Sequence, residues 1–165
     1  MLADVFLSQS RGEQVDVFGR VGVDALERVV DGIGLIGPSG KLTGEEQTGL
    51  EKWFSDYLDW MQTSRNGKAE NAAKNNHGMW FDAQVSQFAL FARRPDLTKA
   101  VAQAFPKKRI ATQFTPEGKL PLELARTRSL HYSIYALLAA YDVADMARCV
   151  GVDLWNYSDG GKGLR

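Results

Sequence analysis

The chain has 165 residues and carries twenty basic against twenty acidic side chains, so its formal charge is zero. That length supports one domain burying about 70% of its unfolded surface, and the balanced charge supplies no field to gather phosphates or an anionic membrane, which excludes nucleic acid and lipid surfaces as expected partners. The single cysteine, Cys149, cannot form an internal disulfide and is expected to be a small buried apolar side chain.

In chain order, the N-terminal stretch MLADVFLSQSRGEQ has neither the basic start nor the apolar core of a signal peptide. No later run approaches the ~20 apolar residues of a membrane span. Taken literally, the product is soluble and not exported. Val23, Leu26, Val29, Val30 and Ile33 predict a short helix closed by residues 34–40 with their Pro38. Thr43 followed by Glu46 fits a capping box and predicts the next helix start. Behind it Leu50, Trp53, Phe54, Tyr57, Leu58 and Met61 repeat at the spacing of one buried stripe, while Glu51, Lys52, Ser55 and Asp56 fall outside it. Asn75, Asn76, His77 and Gly78 interrupt the helical pattern. From residue 79 to 93 the apolar content is high on almost every side, as in a helix enclosed by others, and Pro95 is expected to end it. Asp96 is a candidate cap for a helix through about Ala104, after which Pro106, Pro116, Gly118 and Pro121 punctuate a connecting region. Leu130, Ile134, Leu137, Leu138 and Tyr141 mark a further helix, and residues 142–150 continue or follow it. The terminal SDGGKGLR, residues 158–165, is polar and Gly-rich and expected to be loose, like residues 1–18. With no alternating strand pattern, repeat or low-complexity tract, the chain reads as one all-α domain of antiparallel helix pairs.

The two histidines, His77 and His131, form no zinc pattern with Cys149 and nearby carboxylates, so no metal site is expected. No phosphate-cradling Gly loop and no Ser-centred nucleophile elbow occurs. What remains is NNHG and a second cluster, LPLELARTRSLHYSIYAL at 120–137, with Arg126, Arg128, His131, Tyr132 and Tyr135. Taken singly these have structural readings: Asn75 or Asn76 as a helix cap, Gly78 as a turn residue, the arginines as solvated charges and the tyrosines as amphipathic core.

Together, NNHGMWFDAQ, LPLELARTRSLHYS and the later GVDLW closely resemble the central part of the alginate lyase family of polysaccharide lyases. The resemblance runs from about Gly19 to the C-terminus. It implies an (α/α) toroid of paired helices and cleavage of a uronic-acid polymer by β-elimination, without metal or organic cofactor. It assigns catalytic roles to Asn76, His77, Arg126 and Tyr132, and makes an anionic polysaccharide the expected partner. Removing the C5 proton beside an already negative carboxylate builds further negative charge, so aimed donors must hold that carboxylate. An Asn amide, a His and the planar fork of an Arg suit that task. Tyr132 is then the proton-transfer residue, giving its hydroxyl proton to O4 and, where C5–H and O4 share a face, also taking the C5 proton as phenolate. A tyrosine that acts as base at neutral pH needs a positive charge nearby, and Arg126 is the candidate. His77 is the base when the proton lies on the opposite face.

Regular helix geometry alone puts Arg128, four residues from Tyr132, on its face and Arg126 well away from it. The resemblance ranks Arg126 first, provided the backbone leaves regular helix between Thr127 and Leu130. Four further residues are candidate substrate contacts: Trp80, Gln84, Arg128 and Tyr135. For Trp80 core packing is preferred over sugar stacking, for Gln84 a buried polar contact is preferred, and Tyr135 is balanced between substrate neighbour and core. Asn76 and His77 are expected to meet in one cleft because NNHG breaks the helix. Full members of the family are considerably longer, so the helices completing the toroid before Gly19 and after Arg165 are expected to be missing, leaving faces open to self-association. Such members are commonly periplasmic or secreted. The alternative is a non-catalytic helical domain that binds anionic polysaccharide or a protein partner. Hydrolysis is weaker still, since only Glu123 and Asp82 lie near the motifs as a carboxylate pair.

Overall fold

The computed structural model describes residues 25–165, so Val23 and the expected loose stretch 1–18 lie outside the described residues. Helix α1 (Ala25–Ile36) buries Val30 and Ile33. It continues through Gly34 to Ile36 and closes in a 3-10 turn, Gly37–Ser39, followed by left-handed Gly40.

Helix α2 (Gly44–Thr63) opens on the capping box legible in the sequence. The Thr43 hydroxyl accepts from the Glu46 N–H at 3.2 Å, and the Glu46 carboxylate accepts from the Thr43 N–H at 2.9 Å. Its stripe buries Phe54, Leu58 and Met61. At Ser64 the backbone turns extended, and the Ser64 hydroxyl accepts from the Gly67 N–H at 3.0 Å to cap a separate helix α3 (Arg65–Ala72). A Cβ on Gly67 would overlap the Met61 carbonyl, so only glycine lets the two helices abut here.

Helix α4 (Asn76–Phe91) is the centre of the molecule. It packs against α1, α2 and α3, against α5 (Pro95–Phe105), and most extensively against α8 (Ser129–Cys149). Its low amphipathicity in the sequence follows from this enclosure. One side, with Phe81, Val85, Phe88 and Ala89, joins Val30, Ile33, Phe54, Leu58 and Met61 in one core. The other, with Met79, Trp80 and Ala83, joins Phe105, Ile110, Phe114 and the alanines of α8 in a second.

Pro95 does not end α4. The helix stops at Phe91, Arg93 takes a positive φ of 59°, and Pro95 opens α5 at a first-turn position where its missing N–H costs nothing. Arg94 holds the N-cap position, and Asp96 lies in the first turn, where its charge suits the helix dipole. Nor does a connecting region begin at Pro106. The helical path widens into a π segment, Pro106–Ile110, and ends in the single turn α6 (Ala111–Gln113). The wider turn carries the chain past the donor that proline lacks.

After α7 (Pro121–Leu124), α8 runs unbroken through residues 142–149. Its buried face is built from Ala136, Ala139, Ala140, Val143, Ala144 and Ala147, whose small side chains allow close approach to α4. The larger Leu130, Ile134 and Leu138 are exposed, Leu130 at 73%. Cys149 is exposed rather than buried. The C-terminal segment is not a loose tail: β1 (Ser158–Asp159) and β2 (Lys162–Gly163) pair antiparallel. Gly160 and Gly161 both have positive φ, as a tight hairpin turn requires. Leu164 is buried in the second core, and Lys162 Nζ donates to the Ala111 carbonyl at 2.6 Å.

Candidate active site

Asn75 caps α4: its backbone is extended and its side-chain oxygen accepts from the His77 N–H at 3.2 Å. Asn76 and His77 are therefore the first two helical residues, and their side chains diverge by about 100° rather than projecting together from an irregular loop. Asn76 turns inward and is buried; His77 stays half-buried. Gly78 is not a turn residue but the third residue of the helix. It is glycine because a Cβ there would overlap the Ala73 carbonyl and the Arg109 guanidinium.

Arg109, only 2% exposed, anchors the helix start from below. Its Nε donates to Asp82 Oδ2 at 2.7 Å, its Nη1 to the Ala73 carbonyl at 2.6 Å and its Nη2 to the Asn71 carbonyl at 2.9 Å. Lys108 Nζ shares the same Asp82 carboxylate at 2.7 Å. Burial pulls the Lys108 ammonium below its ordinary pKa, and the Asp82 charge opposes that pull. This lattice ties the chain reversal before α4 to the π segment.

A second carboxylate grips the helix start from the other side. Glu123 on α7, 1% exposed, accepts from the Asn76 backbone N–H at 2.6 Å and from Asn76 Nδ2 at 2.9 Å. The N-terminus of a long helix favours a negative charge there. A carboxylate only accepts, so Nδ2 is the amide atom facing Glu123. Glu123 and Asp82 are thus both spent on holding α4, which removes them as the acid and base of a hydrolase.

His77 Nδ1 lies 2.9 Å from Glu70 Oε2 on α3. That hydrogen bond is the main reason its pKa is raised above the ordinary histidine value. Partial burial opposes the shift, the Glu70 charge adds to it, the Arg126 charge works against it and Glu123 supports it. The Arg126 and Glu123 charges that act on His77 come from the α7–α8 junction.

There the backbone leaves helix at residues 125–128, earlier than the 127–130 expected. The break delivers Arg126: its guanidinium lies over the Tyr132 ring, 4.0 Å from the centroid. Arg128 occupies the N-cap position of α8 and is exposed; its carbonyl accepts from the Tyr132 N–H at 3.0 Å. It is Arg126 whose charge rests on Tyr132. His131 meets the Tyr132 ring edge-on and lies parallel to Tyr135, which in turn packs on Trp80 at 4.7 Å. Trp80 is 4% exposed and belongs to the core, yet with Tyr135 and His131 it borders a cavity of about 610 Å³ between α1, α4 and α8. Gln84 is buried one turn further along α4.

The structure thus pairs Asn76 with Glu123, His77 with Glu70 and Arg126 with Tyr132, while Trp80 packs on Tyr135. Glu70 and Arg109 were not legible as site-supporting residues. Arg109 acts on residues 27 to 38 positions away, Glu70 lies seven residues before His77 but on a separate helix, and the sequence around them carries no motif.

The family model for alginate lyase matches residues 6–165. The chain belongs to the alginate lyase family. The match starts ahead of Gly19, where the sequence resemblance began. An alginate lyase of Pseudomonas putida (strain W619) is 35% identical over 107 residues, 64% of this chain and 28% of that protein. The crystal structure of an alginate lyase from Bacteroides ovatus superposes with a TM-score of 0.79 at 36% identity, covering 84% of this chain and 36% of that one. The chain therefore spans about a third of the length of these alginate lyases. Its helices are an arc of the (α/α) toroid expected from the sequence.

Proposed function

We propose that this chain is the part of a polysaccharide lyase that performs β-elimination on a uronic-acid polymer, alginate or a similar polyuronate. The observation that carries the reading is the Arg126 guanidinium seated 4.0 Å over the Tyr132 ring, next to a helix start bearing Asn76 and His77. It is a hydroxyl proton donor beside a cation, with an amide and an imidazole on the start of α4 to meet a carboxylate.

In this reading the substrate carboxylate takes hydrogen bonds from the second Asn76 amide N–H and, where Tyr132 is the base, from protonated His77 Nε2, with Arg126 supplying positive charge. These donors are held before substrate arrives, so they stabilise the developing enolate-like charge without reorganising. The C5–H bond breaks and its electron pair passes into the carboxylate as the enolate-like state. That pair then forms the C4=C5 double bond as the C4–O4 bond breaks, and O4 takes the Tyr132 hydroxyl proton. The C5 proton goes to Tyr132 as phenolate when it shares a face with O4, or to His77 Nε2 when it does not. No step uses a cofactor.

Incubation with polymannuronate, polyguluronate and glucuronan should generate the ultraviolet absorbance of the unsaturated uronate, and Tyr132→Phe should suppress it by about 100-fold or more. No absorbance on any of the three at high protein concentration would defeat the reading. The exposed Leu130, Ile134 and Leu138 favour a second one, a helical domain that binds anionic polysaccharide or a protein partner without turnover. Polyuronate binding with no unsaturated product would select it.

A further inference from the structure

His77 has two ring nitrogens, and the fold uses one of them. Nδ1 lies 2.9 Å from a Glu70 oxygen. Glu70 comes from α3, a short helix separated from α4 by the chain reversal at residues 73–75. The geometry is stiff. Gly67 locks α3 against the end of α2, and Arg109 bonds the carbonyls of Asn71 and Ala73 that follow Glu70. The Glu70 side chain is 25% exposed and that of His77 41%, so the pair is partly open to solvent rather than in the core. A carboxylate can only accept, so Nδ1 must carry a proton for this bond to exist. The remaining nitrogen, Nε2, is then the only ring atom left for a substrate.

We propose that Glu70 is a positioning residue for His77: it fixes the Nδ1–H tautomer, orients Nε2 toward the site, and stabilises the imidazolium. The inference rests on the lyase reading for its catalytic consequence but not for its structural one. A carboxylate behind an imidazole serves either role of His77. With His77 neutral, Nε2 presents a lone pair to a C5 proton, and Glu70 stabilises the cation that forms. With His77 protonated, Nε2–H donates to the substrate carboxylate. The same logic operates where a buried carboxylate holds a catalytic histidine in the correct tautomer.

The charged groups acting on His77 are Glu70 from α3, Glu123 from α7 and Arg126 from the α7–α8 break. Glu123 is already committed to Asn76 by two hydrogen bonds, and Arg126 opposes protonation. Glu70 is therefore the group whose removal should be felt most.

The chain holds only two histidines, which makes the test direct. Long-range proton–nitrogen NMR on the wild-type chain, Glu70→Gln and Glu70→Ala reads the tautomer and the titration midpoint of His77, whose signals have only those of His131 to be told from. Wild type should carry the neutral-state proton on Nδ1 and titrate above the ordinary histidine value. Glu70→Gln, which keeps an acceptor but loses the charge, should keep the tautomer while its midpoint falls. Glu70→Ala should lose both. An unchanged His77 midpoint in Glu70→Gln, or a neutral-state proton on Nε2 in wild type, overturns the proposal; matching circular dichroism spectra certify that the variants fold. On a polyuronate that wild type cleaves, Glu70→Gln should lower kcat about tenfold or more with KM little changed, and move the pH profile in parallel with the NMR midpoint. A chain with the expected titrations but no unsaturated product keeps the Glu70 assignment and loses the lyase reading. A chain that cleaves while His77 ignores Glu70 does the reverse.

Discussion

Replacing Gly78 by alanine adds a single methyl group at the most crowded point of the site. The new Cβ would lie 2.7 Å from Arg109 Cζ, and closer still to Arg109 Nη1 and the Ala73 carbonyl oxygen. Neither neighbour can move freely. Arg109 is 2% exposed and held by Asp82 and Asn71, and the Ala73 carbonyl belongs to the reversal that sets where α4 begins. Relief requires the guanidinium to withdraw from Ala73, losing a charge-assisted hydrogen bond of about 1.5–3 kcal/mol. Residual overpacking adds about 1–3 kcal/mol, and the better helix propensity of alanine returns about 1 kcal/mol. The net expectation is a loss of roughly 1.5–5 kcal/mol, a fall in Tm of about 3–20 °C for a chain of this size. Urea unfolding followed by far-UV circular dichroism measures it. Gly49→Ala is the control: it lies inside α2 with open space around its Cβ position and should stabilise by about 0.5–1 kcal/mol. If Gly78→Ala matched wild type, or behaved like Gly49→Ala, the claim that a close approach dictates this glycine would be refuted.

Asp82→Asn should cost about 3–5 kcal/mol in the same denaturation experiment, because it leaves the buried Arg109 charge uncompensated and weakens the hold on Lys108. Arg126→Ala should abolish unsaturated-product formation far more completely than Arg128→Ala, since only Arg126 rests on the Tyr132 ring; equal losses in the ultraviolet assay would contradict that division. For His77 the folded pKa is raised by Glu70, so its contribution to stability is fully present below the ordinary histidine value of about 6.5 and is lost as pH rises through the folded pKa. Urea midpoints of wild type against His77→Gln should therefore differ most in mild acid and converge toward alkaline pH, and a gap that widened with pH would reverse the assigned sign.

Much of this molecule is local and for that reason legible. The Thr43–Glu46 capping box spans four residues, and the Leu50-to-Met61 stripe repeats with the helix itself, so neither needs distant partners to be recognised. The crowded apolar character of residues 79–93 pointed to a helix surrounded by others, and α4, ending at Phe91, is that helix. NNHGMWFDAQ, LPLELARTRSLHYS and GVDLW carried the family, because residue order within a short stretch is read without knowing the fold.

The tertiary structure decided what depends on contacts between remote segments. Helical spacing identified Leu130, Ile134 and Leu138 as one side of a helix, yet α8 turns its alanines inward because α4 approaches too closely for larger side chains. Pattern also could not separate an arginine on a helix face from one delivered by a break, and the break at 125–128 is what brings Arg126 onto Tyr132. Nothing in KKR told that Arg109 would be buried beneath Gly78, or in KAENA that Glu70 would hold His77. Hydrophobic periodicity and caps are written within a turn or two of chain. Buried charge pairing is settled only when separate elements meet, since a carboxylate's partner is whichever donor the fold leaves beside it.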